Sequence, residues 1–289
     1  MTAPQLRPQA DLCDRATLRA LARRVGLVAD RRLGQNFLVD RTVLDDITAA
    51  LDPASDEDVL EIGPGVGTLT GALAQRARRV VAVDIDARCV AATRLTQRER
   101  SNVVAVHGDA LGVQPANLGL GERWLAAGNI PYSITTALLT RLFELPAPPR
   151  RGVFLVQREV AARLAAAPGA WSLATVAVRS LATVERIRDV APDSFDPAPA
   201  VHSAVIRLRP ARSLDPGARR EVLDVARLAF QMRRKTLRHG ITHAAGGDEG
   251  RGLAWLEAAR VDPGRRPGTL DVEEWHRIAV AARTLGGQP

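Results

Sequence analysis

The stretch Glu61-Ile-Gly-Pro-Gly-Val-Gly67 constrains this chain more than any other. It follows a short apolar run at 59–62 and leads directly into a helix-forming segment. Glycines at alternate positions let the backbone turn sharply and let a ligand come close to it. A strand, a glycine loop and a helix in that order form the first unit of a parallel α/β sheet. The rest of the first two thirds repeats the alternation. Apolar runs of strand length lie at 59–62, 80–85, 102–106, 124–130 and 152–156, with amphipathic helical stretches at 68–78, 88–96 and 135–144. Short strands separated by helices imply a parallel sheet covered on both faces. Runs at 182–189 and 202–209 follow each other without a helix and predict an antiparallel pair closing the sheet.

The fold class is therefore α/β, a Rossmann-like sheet, with a small all-α domain behind it. After Pro210 the pattern is purely helical, at 216–231, 233–243, 251–259 and 271–284, so the predicted domains are 1–30, 31–210 and 211–289. The first is a basic extension in which Leu18, Leu21 and Val25 share one helix face. Asp40 stands as the N-cap of a helix carrying Val43, Ile47 and Leu51 on one side.

A carboxylate about twenty residues beyond the glycines, at the end of the next strand, is placed to accept from ribose hydroxyls. Asp84 is that residue. The loop reads GxGxG rather than GxGxxG, and Pro64 removes a backbone N–H that a pyrophosphate would use. There is no GK[ST], so P-loop hydrolysis is not supported. These details favour an uncharged ribose on a sulfonium amino acid, which is S-adenosylmethionine. Asp109, in His-Gly-Asp after the third strand, reads either as an acceptor for the adenine amine or as a plain turn residue.

Asn129-Ile-Pro-Tyr132 ends the fourth strand, where open α/β sheets bind ligands. Tyr132 is the only tyrosine. The N6 lone pair of an adenine is delocalised into its ring, so the amine is a poor nucleophile. Acceptors that hold both N–H bonds favour a tetrahedral nitrogen. The Asn129 side-chain oxygen and a backbone carbonyl at Ile130 or Pro131 suit that task, with Tyr132 stacking on the base. No His or Glu base is required if the proton leaves after transfer.

With these residues in place, the chain resembles the ribosomal RNA adenine dimethyltransferase family. Leu33-Gly-Gln-Asn-Phe-Leu38 looks like the family's opening motif, and residues 61–67, Asp84, Asp109 and 129–132 follow in family order. Gln157-Arg-Glu-Val160 and Phe195-Asp-Pro-Ala-Pro-Ala-Val-His-Ser203 are similar to further family strings. The resemblance implies S-adenosylmethionine as donor and N6 of an rRNA adenine as acceptor. It implies donor contacts at Asn36, Leu38, Gly63, Gly65, Asp84, Asp109 and Asn129, and a catalytic set of Asn129, Ile130, Pro131, Tyr132 and Phe195. Phe195 is then expected to stack on the base opposite Tyr132.

The family has a small-subunit branch and a large-subunit branch that confers macrolide-type resistance. Phe230-Gln-Met-Arg-Arg-Lys-Thr-Leu237 and Arg265-Arg-Pro-Gly-Thr-Leu-Asp-Val-Glu-Glu274 look like the first. Ser133 after Tyr132 and Trp171-Ser-Leu173 are closer to the second. Asp84 stands where Glu is usual, on a shorter arm. An rRNA-binding assembly factor without activity is a third reading, against which the intact Asn129, Pro131 and Tyr132 count.

Charge points the same way. Forty Lys+Arg against thirty-two Asp+Glu give +8, which favours a polyanionic partner. Residues 205–240 hold ten basic side chains and three acidic ones. Arg233, Arg234, Lys235 and Arg238 bunch on a predicted helix as candidate phosphate contacts. The expected partner is rRNA in a small-subunit precursor particle, with no metal and no membrane, and the chain is expected to act as a monomer. Two distant cysteines and an N-terminus without an apolar core suggest the cytoplasm. His239 and His243 have metal-ligand spacing but no third ligand.

Overall fold

Asp14 and Asp40 start the first two long helices by accepting backbone N–H groups. Asp14 takes the Thr17 N–H and caps α1 (Arg15–Arg24). Asp40 takes those of Thr42 and Val43 and caps α2 (Arg41–Leu51). Between them lies β1 (Phe37–Leu38). The computed structural model describes residues 11–30, 33–211 and 214–286. Arg31 and Arg32, at the head of the loop before β1, and Arg212 of the basic run lie outside the described residues.

The alternation then unfolds as read: β2 (Asp58–Ile62), α3 (Thr68–Leu73), β3 (Arg79–Asp84), α4 (Ala87–Thr96), β4 (Val103–His107), β5 (Trp124–Asn129), α5 (Thr135–Glu144) and β6 (Gly152–Gln157). After β6 come α6 (Arg158–Ala165), α7 (Leu173–Arg179), β7 (Ala182–Val190), β8 (Phe195–Asp196) and β9 (Ser203–Pro210). One sheet has the order β4-β3-β2-β5-β6-β9-β7. Strands β2 to β6 pair in parallel, and β9 runs antiparallel to β6 with Gly152 opposite Leu208. All five residues of β2 are buried, as expected of a central strand covered on both faces. The strand order reverses beside β2, so the glycine loop and the end of β5 open into one crevice.

The last part is helical: α8 (Pro216–Gln231), α9 (Leu237–Ala244), α10 (Glu249–Ala258) and α11 (Val272–Thr284). Trp255 and Trp275 are fully buried there and centre the core.

Three expectations need correction. The chain divides into two compact units: one division, at Arg209–Pro210, coincides with the predicted boundary at 210, and none falls at 30. One compact unit contains residues up to Ala161 together with Glu185–Arg209, so α1 belongs with the sheet. The other adds Ala162–Val184 to the C-terminal helices, because Trp171 and Val176 sit in the helical core. The helix predicted from 68 to 78 stops at Leu73. The helix predicted from 233 starts only at Leu237, after an extended Thr236, so Arg233, Arg234 and Lys235 occupy a turn. Helices α6 and α7 and the two-residue β1–β8 ladder have no counterpart in the reading of the sequence.

Candidate cofactor and catalytic site

The glycine loop is held open by its own backbone. Gly63 donates its N–H to the Val83 carbonyl at 2.9 Å and adopts φ +69°. Gly65, at φ +59°, lies so close to Phe37 that a Cβ would fall 2.7 Å from the ring. Only glycine meets both demands. The Gly65 N–H leans toward the Asp84 carboxylate at 3.4 Å, and the Asp86 N–H donates to its other oxygen at 2.9 Å. Burial nevertheless raises the Asp84 carboxyl above its ordinary value. With the Cys89 thiol as a third donor, the carboxylate still has accepting capacity for a hydroxyl.

Glu61 completes the floor. It is 1% exposed, and its Oε2 has no hydrogen-bond partner. Burial, with Asp84 close by, pushes its carboxyl up to about 8. Asp58 on the same strand shows the contrast, since its carboxylate is gripped by Arg78 at 2.8 and 2.6 Å. A buried acid with an unsatisfied oxygen is costly, and in a cleft it is a candidate functional group. The sequence reading quoted Glu61 within the motif but gave it no role. The signal is an acid inside the apolar run at 59–62, in the interior of a central strand.

The segment around β1 forms the opposite wall. Gln35 donates to Asp86 at 2.9 Å, and the Asn129 side-chain NH2 donates to the Asn36 carbonyl at 2.7 Å. Asn36, Leu38, Gly63, Gly65, Asp84 and Asn129 line one cleft. Pro131 and Glu61 line it too. Its free volume is about 80 Å³, well short of the roughly 300 Å³ at which small-ligand pockets begin. Phe37 and Leu38, both buried, line the cleft, and the Phe37 ring lies against Gly65.

Beyond Asn129 the chain is fixed residue by residue. Ile130 is 1% exposed and donates to the Leu155 carbonyl at 3.1 Å. The Pro131 carbonyl accepts from the Ile134 N–H at 3.2 Å and the Thr135 hydroxyl at 3.4 Å. Tyr132 is half-buried, and its hydroxyl shares a 2.7 Å hydrogen bond with that of Ser203.

Two residues stand apart from this cleft. Asp109 is exposed, and its carboxylate accepts from the Leu111 N–H at 2.9 Å, the arrangement of a turn residue. Phe195 is 1% exposed and packs among Leu38, Val43, Leu155 and Val205. Its ring is not open to a base in this structure, contrary to expectation, because β8 pairs with β1 and turns it into the core.

In the helical unit, Arg163, Arg227, Arg233, Arg234 and Arg266 surround a cleft of about 700 Å³ beside Trp171. No carboxylate lines it among the described residues. Arg233, Arg234 and Lys235 are exposed, while Arg238 lies 3.6 Å from Glu249. No group of three His, Cys, Asp or Glu among the described residues could hold a metal ion. None of the described helices is long and apolar enough to cross a membrane.

Comparison with known proteins agrees with this arrangement. Residues 27–283 match the family model described as ribosomal RNA adenine dimethylase. The chain is 38% identical over 271 residues to "Ribosomal RNA small subunit methyltransferase A" of Geobacter metallireducens, covering 91% of this chain and 98% of that one. Among solved structures, the 23S rRNA methyltransferase ErmE is similar at 30% identity and TM-score 0.69, over 85% of this chain and 99% of that one. A dimethyladenosine transferase from Plasmodium falciparum shares the fold at TM-score 0.72 and 24% identity, over 86% and 98%.

Proposed function

This chain belongs to the ribosomal RNA adenine dimethylase family, and we propose that it methylates N6 of two adjacent adenines in the 3′-terminal hairpin loop of small-subunit rRNA. Its methyl donor is S-adenosylmethionine. The observation that carries the reading is the joining of Asn129 to the donor-side segment through the Asn36 carbonyl. The small-subunit assignment is supported by relatives named "Ribosomal RNA small subunit methyltransferase A" at 38% and 39% identity over more than nine tenths of this chain.

The cleft fits the donor chemically. Asp84 would accept from the ribose hydroxyls, with Gly63 and Gly65 allowing close approach. The orphaned Glu61 oxygen would face the positive charge of the amino-acid end. When bound, S-adenosylmethionine supplies a methyl carbon activated by a sulfonium. Residues 33–38 line the cleft opposite the glycine loop, so their position sets the room for the donor.

At the acceptor, Asn129 has its NH2 group committed, so its oxygen takes one N6–H. The Pro131 carbonyl already carries two donors, which leaves the Ile130 carbonyl for the other N6–H. Holding both bonds draws the lone pair out of conjugation and aims it, so positioning and electrostatics carry the rate. Tyr132 offers its face to the base, its ring set by Ser203. Phe195 joins it only if β8 releases its ring. Asp109 remains a candidate for the adenine amine through its unbonded oxygen.

The arginine cleft and the turn at 233–235 would take rRNA phosphates, setting affinity and register. In this reading the enzyme works in the cytoplasm as a monomer on a precursor particle. Labelled methyl transfer to separated ribosomal subunits tests the function. Label in small-subunit RNA is expected, and label confined to large-subunit RNA would favour the resistance-type activity instead.

A further inference from the structure

Two residues on each strand make a short ladder, one that is marginal without packing and anchors around it. Yet the β1–β8 ladder carries the segment that faces the glycine loop, with Phe37 opposite Asp196 and Leu38 opposite Phe195. Its outer strand is gripped by α1. Arg19 grasps the Asp196 carboxylate with both arms of its guanidinium, Nε to Oδ2 at 2.7 Å and Nη2 to Oδ1 at 3.1 Å. Arg15 donates to the Phe195 carbonyl at 2.9 Å and to that of Asp193. Asp196 is 9% exposed, and the Arg19 guanidinium holds its carboxyl below the usual range. The same helix sends Leu18 and Leu21 into the cluster that holds Phe37 and Val66. None of these α1 side chains lines the cleft.

We propose that Arg15, Arg19 and Asp196 form a clasp that positions β1 for cofactor binding. They are positioning residues, acting through β8 and β1 without touching the ligand. The inference rests on the reading of the cleft as the S-adenosylmethionine site. Phe37 packs directly against Gly65, and Phe37 and Leu38 both line the cleft, so the place of β1 sets the room beside the glycine loop. The ladder defines that place, and the clasp keeps the ladder formed. Without the clasp, β1 spends part of its time away from the glycine loop, and apparent affinity falls by that fraction. The forked guanidinium matters because it meets both carboxylate oxygens at once, which a lysine ammonium cannot.

The test is calorimetric binding of S-adenosylhomocysteine to the full chain, to Arg19→Ala, Arg19→Lys and Asp196→Ala, and to the double alanine variant. Arg19 is exposed, so its replacement carries the test even if an Asp196 variant folds poorly. Roughly tenfold weaker binding is expected for Arg19→Ala, within the range for residues that couple to a site from outside it. Arg19→Lys should recover part of the loss. The double variant should be no worse than the poorer single one, since both break one contact. In turnover, KM for the donor should rise while kcat at saturating donor stays within about twofold. A merely structural role would lower the unfolding temperature and leave affinity at the parent's value, and that result overturns the clasp. A parent chain that fails to bind S-adenosylhomocysteine overturns the reading of the cleft, and the clasp with it.

Discussion

The Asn129 side-chain NH2 and the Asn36 carbonyl lie 2.7 Å apart, and this bond decides which end of the amide faces the substrate. A carboxylate at position 129 would keep an acceptor but turn an oxygen against the Asn36 carbonyl. Asn129→Asp is therefore expected to lose methyl transfer about as severely as removal of an oriented oxyanion-hole donor, roughly 10²-fold or more in kcat. Steady-state assays on small-subunit particles check this. A variant within a few-fold of the parent would show that the anchoring bond is not needed.

Glu61 gives a pH prediction with a defined sign. Its carboxyl is raised to about 8 in the folded protein, so between its ordinary value and 8 the native state holds a proton that the unfolded chain has released. Stability of the ligand-free protein should fall as pH rises through that window. Glu61→Gln should flatten the slope. Donor affinity should move the opposite way and climb toward pH 8, because a bound cation favours the ionised acid. Denaturant melts and binding titrations from pH 5 to 8.5 measure both. A parent with no slope in either would show that Glu61 stays ionised.

Gly65→Ala tests the approach of β1 to the glycine loop. The substitution meets a left-handed backbone and the Phe37 ring at 2.7 Å. It should cost more than about 1 kcal/mol of stability and abolish measurable donor binding. Adding Phe37→Ala removes the clash but not the backbone strain, so recovery should be partial. Full recovery would mean that φ at this position carries no cost.

For Tyr132, the phenol and the ring make separable contributions. Tyr132→Phe loses only the Ser203 bond, worth about 0.5–1.5 kcal/mol. Tyr132→Ala loses the stacking face, worth about 1–3 kcal/mol per base. The expected order in KM for RNA is parent, Phe, then Ala, with the larger step at Ala. Equal losses in both variants would tie the residue's role to its hydroxyl.

Replacing Arg233 and Arg234 together should weaken RNA binding without changing which base is methylated. Each lost phosphate contact should flatten the dependence of log Kd on log salt by nearly one unit. Arg238→Ala should change it less, since Glu249 already faces that guanidinium. A slope unchanged in the double variant would remove the turn at 233–235 from the RNA interface.

The parts of this molecule legible in its sequence are those set by local patterns. Apolar runs of strand length placed β2 to β6, and the glycines with Asp84 placed the cofactor crevice. Asn129 and Pro131 came with them because strand ends at a switch point are where such sheets bind. What escaped depends on distant partners. The β1–β8 ladder joins residues some 160 positions apart and has no periodicity to betray it. The motif around Phe195 implies a ring that stacks on the base, yet that ladder folds it inward. The helical pattern after Pro210 takes in Arg233 to Lys235, whereas the extended Thr236 caps a helix that begins only at Leu237. The Ala162–Val184 segment joins the helical unit through Trp171, whose packing no local rule predicts.

The most direct test is nucleoside analysis of small-subunit RNA after incubation with S-adenosylmethionine and either the parent or Asn129→Ala. The account predicts N6,N6-dimethyladenosine with the parent and none above background with the variant. Methylation at another atom of adenine, or an undiminished dimethyladenosine signal from Asn129→Ala, would contradict it.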